Sequence, residues 1–117
     1  MAEIKRFGIG PRMSEMAVHN NTVYLAGQIA EKTAGQDIVA QTMEVLAAID
    51  ALLEQAGSHK SKILRCQIFL ADLADFARMN TIWEAWVVPG HTPARATVQA
   101  ALANPAWRVE MVVTAAI

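Results

Sequence analysis

Cysteine is nearly absent: Cys66 is the only one in 117 residues, so neither an internal disulfide nor a thiolate metal cage can form. Charge is scarce and balanced. Lys plus Arg total 10 against 11 Asp plus Glu, and the net charge of −1 supplies no broad basic field for gripping a phosphate backbone. A nucleic-acid partner is therefore disfavoured. No apolar run approaches the roughly 18 to 20 residues that span a bilayer, and the first residues lack the apolar region of a signal peptide. The expected setting is the cytoplasm, without a membrane partner. Neither a GxGxxG nor a Walker-type loop occurs, and His19, His59 and His91 do not stand at metal-ligand spacing. No metal and no cofactor are expected.

What is present is apolar surface. At 12.7 kDa the chain has room for one compact domain, residues 1–117. Apolar residues make up 54% and charged residues 18%, more apolar surface than one small core hides, which points to self-association.

Periodicity gives the order of elements. Met16-Ala17-Val18 and Val23-Tyr24-Leu25-Ala26 flank His19-Asn20-Asn21, a turn that asparagine favours because it tolerates positive φ. From Asp37 to Ala56, Ile38, Val45, Leu46, Ile49, Leu52 and Leu53 recur at helical spacing, with Asp37 as N-cap and Gly57 as the stop. Ile63 to Leu70 reads as a central strand that packs Cys66 as a small hydrophobe. Asp72 is placed to cap a second helix whose Phe76, Met79, Trp83 and Trp86 form one buried stripe, broken by Pro89-Gly90. Ala94 to Gln99 and Val109 to Ile117 close the chain as strands, and Ile4 to Gly8 is a possible short first strand. The result is an α+β fold, a sheet with both helices on one face. Another subunit is the economical cover for the other face.

Two polar residues interrupt this pattern. Arg95 opens a strand that otherwise reads as buried. It either snorkels, pairs with a structural carboxylate, or binds a carboxylate ligand, which its planar fork matches bidentately. Glu110 lies in the apolar run Val109-Glu110-Met111-Val112-Val113. It is either the structural mate of Arg95 or Arg108, or a water-activating base of the kind that desolvation favours. His19 and His59 read as solvated, and His91 stands beside Thr92-Pro93 at the edge of the Arg95 segment.

Pro93-Ala94-Arg95-Ala96-Thr97-Val98 resembles the PAR(S/A)-x-V motif of the Rid (YjgF/YER057c/UK114) family, preceded by a helix pattern like Asp75-Phe76-Ala77-Arg78-Met79-Asn80. Gly27-Gln28-Ile29 is similar to the family's SGQ(I/L) segment and Val109-Glu110-Met111 to its closing strand. His19-Asn20-Asn21-Thr22, Ile68-Phe69-Leu70-Ala71-Asp72 and Trp83-Glu84-Ala85-Trp86-Val87-Val88 resemble the YoaB-like branch. The resemblance covers nearly the whole chain in order. It implies a chorismate-mutase-like fold, a mixed sheet with two helices on one face, assembled as a homotrimer with sites between subunits. It also implies cofactor-independent hydrolysis of 2-imino or enamino acids to 2-keto acids and ammonia. By the same resemblance Arg95 would bind the substrate carboxylate and Glu110 would position water. Gly27 and Asn80 would line the cleft, and Thr97 would stand where many members carry cysteine. Ala26, in place of a common serine, and Arg12-Met13, in place of a common aromatic residue, depart from the pattern and leave the substrate range open. Two other expectations stand beside this one: a carboxylate-sensing trimer without turnover, and an endoribonuclease or translation inhibitor, which the charge balance disfavours.

Overall fold

The computed structural model describes residues 3–117. Asn20 and Asn21 both adopt positive φ, 50° and 57°, the geometry that lets a two-residue turn follow the twist of its strands. They join β2 (Met16–His19) to β3 (Thr22–Leu25), paired antiparallel with Met16 opposite Leu25 and His19 opposite Thr22. The short β1 (Lys5–Phe7) pairs with β2, and β4 (Gln28–Ile29) follows β3.

Helix α1 (Ile38–Gln55) begins where the Asp37 carboxylate accepts the Ala40 N–H at 2.9 Å. It ends at Gly57, whose φ of +79° turns the chain left-handed while the Ser58 N–H reaches the Leu53 carbonyl at 2.8 Å. Ile38, Val45, Leu46, Ile49 and Leu53 form its buried face. Strand β5 (Ile63–Leu70), helix α2 (Phe76–Trp86) and strand β6 (Ala94–Gln99) form a crossover unit, with β5 and β6 parallel as such a connection requires. The last strand, β7 (Val109–Ala116), inserts antiparallel between β3 and β5. The sheet order is β1-β2-β3-β7-β5-β6, with β4 also on β7.

Alternation in the two central strands fixes the faces. Cys66, Ile68 and Leu70 of β5, and Val109, Met111, Val113 and Ala115 of β7, are buried beneath the helices. The intervening Gln67, Phe69, Glu110, Val112 and Thr114 point the other way, and Tyr24 and Val98 beside them are 51% and 45% exposed. The mixed sheet with two helices on one face is thus as expected.

Three local expectations are corrected. Asp72 caps not α2 but the single 3-10 turn Leu73–Asp75, accepting the Ala74 N–H at 2.9 Å; α2 starts after it, because Asp75 turns its carboxylate toward Arg108. The stripe on α2 is only half core. Met79 and Trp83 are buried, whereas Phe76 at the first turn is 38% exposed and Trp86 keeps its indole N–H for Asp50, at 2.8 Å. Strand β6 is also less buried than its composition suggests, because it is an edge strand with Ala94, Val98 and Gln99 exposed.

Candidate functional site

Arg95 stands in register with the buried Cys66, so it leaves β6 on the helical side of the sheet. There its Nη1 donates to the Asn80 side-chain oxygen at 2.7 Å, and the guanidinium carbon lies 5.2 Å from the Trp83 ring centroid and 5.8 Å from that of Phe76. Asn80, Trp83 and Phe76 all belong to α2, the helix delivered by the same crossover that places β6. Among the described residues Arg95 forms no ion pair. The acidic groups that α2 and its start engage are committed elsewhere: Asp75 to Arg108, Asp37 to Arg78 and Asp50 to Trp86. Asn80 and Arg95 are therefore brought together, and most of the guanidinium's five N–H donors are left for another acceptor.

Thr97 follows Arg95 on the same face, in register with Ile68. Its hydroxyl oxygen is shielded from solvent and has no hydrogen-bond partner. Cys66 lies under Arg95 as packing. Burial pushes its thiol up to about 12, against the pull of Arg95 and Arg65, so almost no thiolate exists near neutrality. We expect Cys66 to resist a thiol reagent at pH 8 until the chain unfolds, and Cys66→Ser to cost stability rather than function. Rapid stoichiometric labelling of the native protein would contradict this.

Glu110 is placed differently. It is in register with Phe69 of β5 and Ile29 of β4, on the face without helices. Gly27 is what admits it. A Cβ at residue 27 would fall on the Glu110 Oε2, so any side chain there would displace the carboxylate. Glu110 pairs with neither Arg95 nor Arg108.

The four residues Arg95, Asn80, Gly27 and Glu110 thus fall into two separate groups. Arg95 and Glu110 are two strands and three register positions apart, about 14 Å between Cα atoms from strand spacing and rise, and on opposite faces. A small acid cannot touch both within one chain.

The family model described as Endoribonuclease L-PSP matches residues 6–117. The chain belongs to the YjgF/Rid family. A RutC family protein of Haemophilus influenzae is 50% identical over 112 residues, 96% of this chain and 97% of its own length. The RutC family protein YoaB of Escherichia coli is 49% identical over 114 residues, 97% of this chain and 98% of its own. Among solved structures, a YjgF family member from Neisseria meningitidis is 46% identical with a TM-score of 0.90, covering 97% of this chain and 94% of that one. A protein from Salmonella typhimurium, described as a putative translation initiation inhibitor, is 47% identical with a TM-score of 0.89 and 97% coverage of both chains.

In this YjgF/Rid chain the strand carrying Glu110 is anchored through Gln41, a residue that the sequence did not single out. Gln41, fully buried on α1, donates to the Gln36 and Ala106 carbonyls at 3.0 and 2.9 Å and accepts the Arg108 N–H at 2.7 Å. Arg108 in turn grips Asp75 through Nε at 3.0 Å and Nη2 at 3.2 Å, a hydrogen-bonded ion pair that raises the guanidinium further above its ordinary value. The only advance signal was one glutamine on an apolar helix face.

Two cavities stand apart from Arg95. One of about 340 Å³ adjoins Gly27 and gathers Glu15, Glu31 and Glu44 beside Met13 and Trp107. Three carboxylates would repel an acid, so its chemistry does not compete with Arg95 for a carboxylate. Burial raises the Glu44 carboxyl, but hydrogen bonds from Lys32 and Thr33 together outweigh it and hold the group below its ordinary value. The other, about 330 Å³, lies between the helices beside Met43, Ile82 and Trp86 and reaches none of the candidate residues.

Proposed function

We propose that this chain hydrolyses reactive 2-imino or enamino acids to 2-keto acids and ammonia, as a cytoplasmic homotrimer that uses no cofactor. The observation that carries the reading is the Arg95 guanidinium, half-buried on neutral partners with no carboxylate of its own. A buried cation without an anion is costly, and a small carboxylate removes that cost bidentately.

The division of Arg95 and Glu110 between opposite faces supports sites made by two copies. The edge strand β6 of one would bring Arg95 and Thr97, with Asn80 from α2 behind them, and the open sheet face of the next would bring Glu110 beside Gly27. The apolar residues of that face, Phe69, Val98, Val112 and Tyr24, give such contact its hydrophobic area. Sedimentation or light scattering should therefore report about three times the 12.7 kDa chain mass. A stable monomer at micromolar concentration would remove the shared site.

In the reaction, Arg95 holds the substrate carboxylate and Glu110 takes a proton from water as its oxygen adds to the imine carbon. The nitrogen of the adduct takes up the proton held by Glu110 and the proton of the new hydroxyl, and it leaves as ammonia when the C–N bond breaks and the C–O bond becomes a carbonyl. An imine carbon is already electrophilic, so orientation and one general base, worth roughly 10²–10⁴-fold, are sufficient. The test is an amino-acid oxidase generating imines from several amino acids, with their decay followed with and without this protein. Unchanged decay for every imine would refute the deaminase reading.

The same Arg95 geometry serves a sensor that binds keto acids without turnover. Glu110 separates the two readings, since carboxylate binding alone does not need it. The ribonuclease activity in the family model's description is a weaker fit to a chain of net charge −1, and RNA retention that falls steeply with salt is the result that would revive it.

A further inference from the structure

What aims Arg95 is distinct from the groups that would meet a ligand. Arginine has a long stem with many rotamers, and an unpaired one on an edge strand would ordinarily extend into solvent. Here it turns back toward α2. Only one of its N–H groups is held by a hydrogen bond, to Asn80. The guanidinium carbon lies over two rings, 5.2 Å from the Trp83 centroid and 5.8 Å from that of Phe76. These residues sit at 76, 80 and 83 of one helix, spacings of four and three that bring them onto one face. Phe76 is 38% exposed, although an apolar ring gains nothing from solvent, and Trp83 is 6% exposed and locked in the core.

We propose that Trp83, assisted by Phe76, is a positioning residue for Arg95: an aromatic platform that restrains the guanidinium while leaving its charge uncompensated. Aromatic rings do this in a way that a carboxylate cannot. A carboxylate would also restrain the arginine, but it would occupy the N–H fork and cancel the charge that an anion is to meet. The ring faces attract the cation through their quadrupoles and leave the in-plane N–H donors free. Asn80 then fixes rotation about the platform with a single neutral acceptor. The proposal rests on the reading of Arg95 as a carboxylate seat, and it concerns a different residue and a different observable.

The test follows the Arg95 Nε–H in nitrogen-edited spectra of the full chain without ligand, assigned by its loss in Arg95→Lys, and then titrates 2-oxobutanoate. In the parent the ring currents should shift this proton away from the range of free arginines. Trp83→Phe, which keeps a ring, should retain much of that shift and most of the affinity. Trp83→Leu should return the signal to the free range and weaken 2-oxobutanoate binding roughly three- to tenfold, the scale of a lost cation–π contact. Because Trp83 is also core, Phe76→Leu supplies a milder variant: a smaller change of the same sign at nearly parental melting temperature. A folded Trp83→Leu protein whose Arg95 signal and affinity match the parent overturns the proposal; should it not fold, an unchanged Phe76→Leu does so. If the parent shows the shifted signal but binds no oxo acid, the platform stands and the carboxylate reading falls.

Discussion

Arg95→Ala should abolish keto-acid binding and imine hydrolysis together, whereas Glu110→Gln should leave binding nearly intact and lower hydrolysis alone by about 10²-fold or more. The two residues differ in chemistry and in place. Arg95 presents free N–H donors on the helical side of β6, and removing two charge-assisted hydrogen bonds weakens a carboxylate ligand on the order of 10²-fold or more. Arg95→Lys should rescue poorly, because an ammonium has neither the planar fork nor the delocalised cation that lies over Trp83 and Phe76. Glu110→Gln preserves shape beside Gly27 and cannot accept a proton. Gly27→Ala should reproduce its kinetic defect by a different route, since the added methyl displaces the carboxylate. Calorimetry with a keto acid and the coupled oxidase assay, on assemblies of confirmed mass, separate these effects. A Glu110→Gln protein that hydrolyses imines at the parental rate removes the base; a parent that binds without accelerating decay makes the protein a sensor.

Local chemistry made most of the fold legible. The Asn20-Asn21 turn, the Asp37 cap and the Gly57 stop are decisions taken within a few residues, and each stands where the sequence places it. Interactions across the chain were not legible. Asp75 reads as part of a helix start, yet its carboxylate goes to Arg108, 33 residues away. The β6 composition reads as buried, yet the strand lies at the sheet edge with Ala94 and Val98 exposed, because composition does not report strand order. The motif resemblance named Arg95 and Glu110, but period-2 alternation alone did not reveal their opposite faces. That required the pairing of Cys66 with Arg95 and of Phe69 with Glu110. Trp83 was assigned to the core and does pack there, and only its distance to the guanidinium exposes a second role.

The largest loss of stability should come from Gln41, a residue remote from the proposed chemistry. Gln41→Leu conserves most of the volume and improves helix and core propensity, so composition alone would rate it neutral or favourable. The hydrogen bonds say otherwise. Gln41 is fully buried and satisfies three backbone groups at once: the carbonyls of Gln36 and Ala106 and the N–H of Arg108. Leucine would strand the Gln36 carbonyl and the Arg108 N–H, while the Ala106 carbonyl keeps the Gly35 N–H at 2.9 Å, and a buried unsatisfied polar group costs roughly 1–3 kcal/mol. Because relaxation lets water reach part of the loop, a net loss of roughly 2–4 kcal/mol is expected, readable as a lower denaturation midpoint at unchanged m-value. The consequence should extend to function. The Arg108 backbone leads directly into Val109 and Glu110, so loosening it lets the carboxylate drift from the space that Gly27 leaves open. Gln41→Leu should therefore lower turnover more than keto-acid affinity, since Arg95 is held by α2 and does not depend on this anchor. Gln41→Glu is the sharper control. It retains an acceptor for the Arg108 N–H but loses the two donated bonds and places a carboxylate against two carbonyls, so it should destabilise at least as much as leucine near neutral pH. A parental midpoint in Gln41→Leu would show that the Gln36 carbonyl and the Arg108 N–H find other partners and that the register of Glu110 is set by the sheet alone.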